Sequence, residues 1–71
     1  MTANQKTLER YEFTCEDGAN AVRALRAKTD DDKERQALHL AVEAIEVARN
    51  ALSHAYDVVG ATAKEQRRND Q

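Results

Sequence analysis

Between Leu38 and Val59 the apolar residues recur at spacings of three and four, a rhythm that only an α-helix gathers onto one face. One row is Leu38, Ala41, Ile45, Ala48, Leu52, Ala55 and Val59, with no charge in it. A second row, Ala37, Leu40, Ala44, Val47, Ala51 and Val58, lies roughly 110° further round the helix at about 100° per residue. His39, Glu43, Glu46, Asn50, Ser53 and Asp57 fill most of the remaining arc, so the helix has a solvated side and an unusually wide dry side. One partner helix cannot cover both rows. The expectation is a helix that touches its own chain along one row and another copy of the chain along the other.

The preceding residues supply the partner within the chain. Leu8, Tyr11, Cys15, Gly18, Val22 and Leu25 form a second helical stripe, and Thr2 with Gln5 fits a capping box that starts this helix almost at the N-terminus. Gly18 costs a helix about 1 kcal/mol relative to Ala. Its place on the stripe suggests either close approach of another backbone or a kink near Glu16-Asp17-Gly18. The stripe fades from Ala27 to Thr29, and Asp30, Asp31 and Asp32 then read as a helix start, with Thr29 or an Asp as the cap. Asp31 followed by Glu34 has the capping-box spacing.

A short connection between two long helices, with no room for a strand, makes an antiparallel hairpin. Pairing Leu25 with Leu38 brings Val22 near Ala41, Cys15 near Ala48 and Tyr11 near Leu52. The second helix should run from about Asp31 to the mid-60s, roughly 50 Å at 1.5 Å per residue, with Gly60 allowing a bend or an early stop. The expected fold is therefore all-α. A helical hairpin over residues 1–66 assembles into a homo-oligomeric bundle, and residues 67–71 form a flexible C-terminal tail.

The totals give self-assembly a reason. With 71 residues, 41% of them apolar, and no Trp, the chain can build only a modest core. Cys15 is the only cysteine, which excludes an internal disulfide and reads as a small buried hydrophobe. His39 and His54 lack the spacing of a zinc site, and no cofactor motif occurs. A net charge of −2 argues against a general nucleic-acid coat. No apolar run reaches the length of a membrane span and the N-terminus is polar, so a cytoplasmic protein is expected.

Two basic groups stand out. Arg23, Arg26 and Lys28 lead into the turn and Lys33 and Arg35 leave it, concentrating positive charge beside the exposed amides of the second helix, where an anion would sit well. The plainer account is that these side chains solvate the hairpin end and neutralise Asp30, Asp31 and Asp32. Lys64, Arg67 and Arg68 form the other group, which cations at a helix C-terminus explain equally well. Tyr11 and Phe13 point about 200° apart on one helix, so both cannot enter the same core. Tyr11 is either a core tyrosine with a satisfied hydroxyl or an aromatic at a subunit boundary able to stack on a nucleobase, and Tyr56 carries the same ambiguity. Phe13 fits packing on a partner chain. No Gly-rich phosphate loop, nucleophile elbow or Cys–His pairing occurs, and His54 reads as an interface histidine, so an enzyme is not expected.

The segments Asp32-Lys33-Glu34-Arg35, Val42-Glu43 and Asn50-Ala51, on a two-helix plan, resemble small phage helical-hairpin proteins that sequester cyclic oligonucleotides. These are the sponge-type inhibitors of the bacterial CBASS defence system, whose hairpin is shared by a related inhibitor of Thoeris signalling. The resemblance implies a compact homo-oligomer in the host bacterial cytosol, typically a hexamer, with pockets between protomers. Cyclic dinucleotides bind there without cleavage, and some members hold cyclic trinucleotides at a separate site. Carried over by resemblance, Tyr11 would stack on a base, Arg26 or Lys28 and Thr29 would contact phosphate, and Arg67 would reach a neighbouring pocket. The competing expectations are a helical protein–protein interaction module without a small ligand, and a small DNA-associated regulator using the basic residues around the turn.

Overall fold

Two long helices laid side by side make up the computed structural model, which describes residues 1–69. The first, α1, spans Ala3–Ala27, and the second, α2, spans Asp32–Asn69. They pack against each other as a hairpin and form a rod 61 Å long with a cross-section of 14 × 10 Å. Among the described residues, no helix is long and apolar enough to cross a membrane.

Local chemistry fixes both ends of α1 and the start of α2 where the sequence put them. Thr2 accepts from the Gln5 amide at 3.0 Å and the Gln5 side chain accepts from the Thr2 amide at 2.9 Å, a complete capping box. At the other end of α1 the Leu25 carbonyl accepts from the Lys28 amide at 3.1 Å and from the Thr29 hydroxyl at 2.8 Å. Asp31 starts α2, its carboxylate accepting from the Glu34 amide at 2.9 Å. The carboxylates of Asp32 and Glu34 lie in the first turn, where the helix dipole favours them. Gly18 sits inside α1, and a Cβ added there would meet nothing within 4 Å, so no other part of the chain approaches it closely. Gly60 does not end α2, which continues as helix through Arg67 to Asn69; the last two residues of the expected tail lie outside the described residues.

The faces in contact are rotated from those the apolar stripes predict, by the same step on both helices. Leu8, Cys15 and Val22 form a seven-residue spine along α1, and Leu38, Ile45, Leu52 and Val59 form one along α2. Between spine positions the stripes offered the residue three places on: Tyr11, Gly18 and Leu25, or Ala41, Ala48 and Ala55. The hairpin instead turns inward mainly the residue four places on. Ala19 is 4% exposed and Val42 is 5% exposed, while Glu12, Arg26 and Tyr56 are half-buried. Tyr11 and Leu25 are left outside, at 51% and 53% exposure, as are Ala41 and Ala48.

Volume and side-chain shape account for the choice. On α2 the rotation buries Val42 and half-buries Tyr56 where the other setting would bury only alanines, which removes more apolar surface from water. On α1 the small Ala19 lets the helices approach, and Glu12 and Arg26, whose long stems can cover apolar surface, are half-buried. The second row of α2 faces away from α1 altogether. Leu40, Val47 and Val58 retain 54%, 69% and 48% of their surface.

Polar contacts between the helices hold the register. Arg23 pairs with Glu46, and Arg49 with Glu16 at 3.1 Å. Being nearly half exposed, such pairs contribute at most about 1 kcal/mol each, and they act more as register marks than as sources of stability. At the open end the Gln5 amide nitrogen donates to the Tyr56 carbonyl at 3.3 Å, lying over Gly60.

Candidate functional site

The turn end gathers three of the residues that the sequence singles out. Arg26 projects from the last turn of α1, Lys28 caps that helix, and Thr29 follows it. Arg26 is held in place from the other helix, its Nη1 lying 2.8 Å from His39 Nδ1. A guanidinium only donates, so Nδ1 must accept, and the imidazole proton resides on Nε2, which lies 3.0 Å from Glu43 Oε1. Arg26, His39 and Glu43 thus form a relay of two hydrogen bonds across the hairpin. Beside it an open groove of about 430 Å³ is lined by Arg26, Asp32, Arg35, Gln36 and His39.

Charge at this end is divided among partners. Arg23 is committed to Glu46 and to Asn20 Oδ1 at 3.1 Å, so it points back along the rod rather than into the groove. Lys28, Lys33 and Arg35 make no ion pair among the described residues and remain available to an anion. Thr29 has already given its hydroxyl proton to Leu25, which leaves its oxygen lone pairs and not its proton for any ligand.

Tyr11 and Arg67 stand apart from this cluster. Tyr11 is exposed, with the Arg10 guanidinium 5.5 Å from the centre of its ring, and it lies about 22 Å along α1 from Arg26. A cation over one ring face leaves the other face open to stack. Arg67 is exposed near the opposite end of the rod, at the rim of a shallow groove of about 240 Å³ formed with Met1, Gln5, Tyr56 and Lys64. Within one chain, therefore, Arg26, Lys28 and Thr29 share the turn end, but Arg26 lines one groove and Thr29 another, formed with Leu25, Glu34, Ala37 and Leu38, and Tyr11 and Arg67 do not join them.

Sequence reasoning missed His39 and Arg10 as participants. His39 stands in the solvated arc of α2, and only the hairpin register sets it opposite Arg26; its spacing of four from Glu43 was the available signal. Arg10 follows from no spacing rule, because neighbours in sequence do not normally share a helix face. No family model, curated protein or solved structure matches the chain.

Proposed function

We propose that the protein binds cyclic oligonucleotide signals in crevices between copies of itself and withholds them, intact, from the effectors of CBASS-type antiviral signalling. The observation that carries this reading is the exposure of Tyr11 and of the Leu40, Val47 and Val58 row on a rod in which, among the described residues, only Ala19 and Val42 are buried. A rod of this kind gains stability by docking against copies, and docking is also what could bring an exposed aromatic from one chain to cations of another. A base–aromatic contact contributes about 1 to 3 kcal/mol, and charge-assisted hydrogen bonds from Arg26 or Lys28 would hold phosphate. Stoichiometric capture requires no catalytic group. The hexameric state, the preference for di- or trinucleotides and the reach of Arg67 into a neighbouring pocket belong to the same proposal.

Titration of the purified protein with a panel of cyclic di- and trinucleotides tests it. At least one should bind tightly and be recovered uncleaved; silence across the panel would remove the reading. Tyr11→Ala should weaken the binding by at least tenfold, corresponding to about 1.4 kcal/mol. Lys28→Ala should weaken it in the same direction, with the oligomer intact in both variants. A second reading draws on the same exposed row: an interaction module that lays this face on a different protein. It predicts a protein partner and no effect of nucleotides on that partnership.

A further inference from the structure

The open row of α2 is longer and more regular than a chance apolar patch. Extended by His54 and Ala61, it reads Ala37, Leu40, Ala44, Val47, Ala51, His54, Val58, Ala61, with strict alternation of three and four, and every one of these residues is exposed. That is a coiled-coil seam about 36 Å long, uncharged apart from any proton on His54, on the side of α2 turned away from α1. The flanking positions on one side are Ala41, Ala48 and Ala55, small enough to let another helix come close.

We infer that this seam pairs with the same seam of a second copy, in antiparallel orientation, about a two-fold axis between Val47 and Ala51. The inference rests on the self-assembly in the proposed function and adds the face, the orientation and the register. A parallel pairing would stack like on like, setting wide layers of Leu40, Val47, His54 and Val58 among narrow layers of paired alanines, so no single helix separation would fill them all. The antiparallel pairing sets Val47 on Ala51 of the second copy, His54 on its Ala44 and Leu40 on its Val58. Two alanines meet only in the end layers, Ala37 with Ala61. It also opposes the two helix dipoles and separates the two copies of His54.

The area required is within reach. A stable interface takes about 800 Å² from each partner, roughly one seventh of the 5618 Å² that the chain exposes. Leu40, Val47 and Val58 are among its most exposed large apolar residues, and the Ala41 and Ala48 flank adds to them. One cost is visible: Glu43 and Asp57 of opposite copies flank the seam on its other side, so association should tighten as salt screens them.

Cysteine pairing reads the register directly. In a Cys15→Ser background, Leu40→Cys and Val58→Cys chains are mixed and oxidised, and the disulfide-linked species are identified by mass. The antiparallel seam brings positions 40 and 58 of opposite copies within disulfide reach and holds the two copies of position 40 about 27 Å apart. The mixed dimer should therefore predominate. Predominance of Leu40→Cys homodimers would overturn the orientation in favour of a parallel seam. An oligomer in solution that forms none of these links would overturn the seam and leave nucleotide sequestration standing. A monomer at micromolar concentration would remove both. As a check that does not depend on cysteine, Val47→Glu should keep its helical signal and weaken association by at least tenfold; unchanged association would count against the seam.

Discussion

The two glycines make opposite demands on an added methyl group, and their comparison tests the packing of the hairpin. Replacing glycine by alanine inside a helix gains about 0.8 to 1.0 kcal/mol from the smaller loss of backbone freedom. At Gly18 a new Cβ meets nothing within 4 Å, so no steric term opposes the gain. At Gly60 the new Cβ lies 2.5 Å from Gln5 Nε2, and the amide must swing away. That movement gives up the bond to the Tyr56 carbonyl and disturbs the one that the Gln5 side chain accepts from Thr2. At about 0.5 to 1.5 kcal/mol for each bond, the loss matches or exceeds the propensity gain. The expected order of stability is Gly18→Ala above the parent, and Gly60→Ala equal to the parent or below it. In a chain of this size 1 kcal/mol moves the melting temperature by about 4 to 8 °C, so the difference is readily measured by circular dichroism at matched protein concentration, since assembly itself shifts the midpoint. A fall in melting temperature for Gly18→Ala would refute the open environment assigned to that position. Equal rises for both variants would refute the Gln5 contact at Gly60.

Two further substitutions probe the cap and the core. Asp31→Ala removes the acceptor for the Glu34 amide and should cost about 1 kcal/mol in thermal or urea unfolding, whereas Asp31→Asn should retain most of the stability. Val42→Ala deletes two methyl groups from a residue that is 5% exposed and should cost about 1.5 to 2.5 kcal/mol; a cost below about 0.5 kcal/mol would mean that another residue fills that position.

What the sequence made legible was whatever short-range chemistry decides. The Thr2–Gln5 box and the Asp31 cap are contacts over three residues, and they lie where the spacing placed them. The register was nearly legible too: pairing Leu25 with Leu38 differs by one residue on each helix from the observed Arg26–His39 contact. The rotation was not. Both settings of each helix share the same seven-residue spine, so periodicity cannot choose between Tyr11 and Glu12, or between Ala41 and Val42, as the residue turned inward. The choice depends on which pair of faces fits together, with Ala19 giving room and Glu12 and Arg26 half-buried beside it, and that is a property of two helices at once. The Arg26–His39–Glu43 relay was illegible for the same reason, because His39 acquires its partner only after the register is set.

The shape of the rod links assembly to the proposed activity more tightly than either argument does alone. Ligand pockets bury about 70 to 90% of the surface of a small molecule, and a cross-section of 14 × 10 Å leaves only open grooves along a single hairpin. Closing the α2 seam with a second copy would not complete a pocket either, since it joins the sides of the two hairpins that carry neither Tyr11 nor Arg26. Both α1 helices would then face outward, each presenting Tyr11, Phe13 and Leu25, exposed at 51%, 56% and 53%. Tyr11 and Leu25 share one side of α1 and, unlike the seam, are left for a second kind of contact, while Phe13 points roughly 200° from Tyr11. Nucleotide binding in this scheme therefore depends on two interfaces, with the seam pairing the hairpins and α1 faces from different pairs closing the crevice around the ligand.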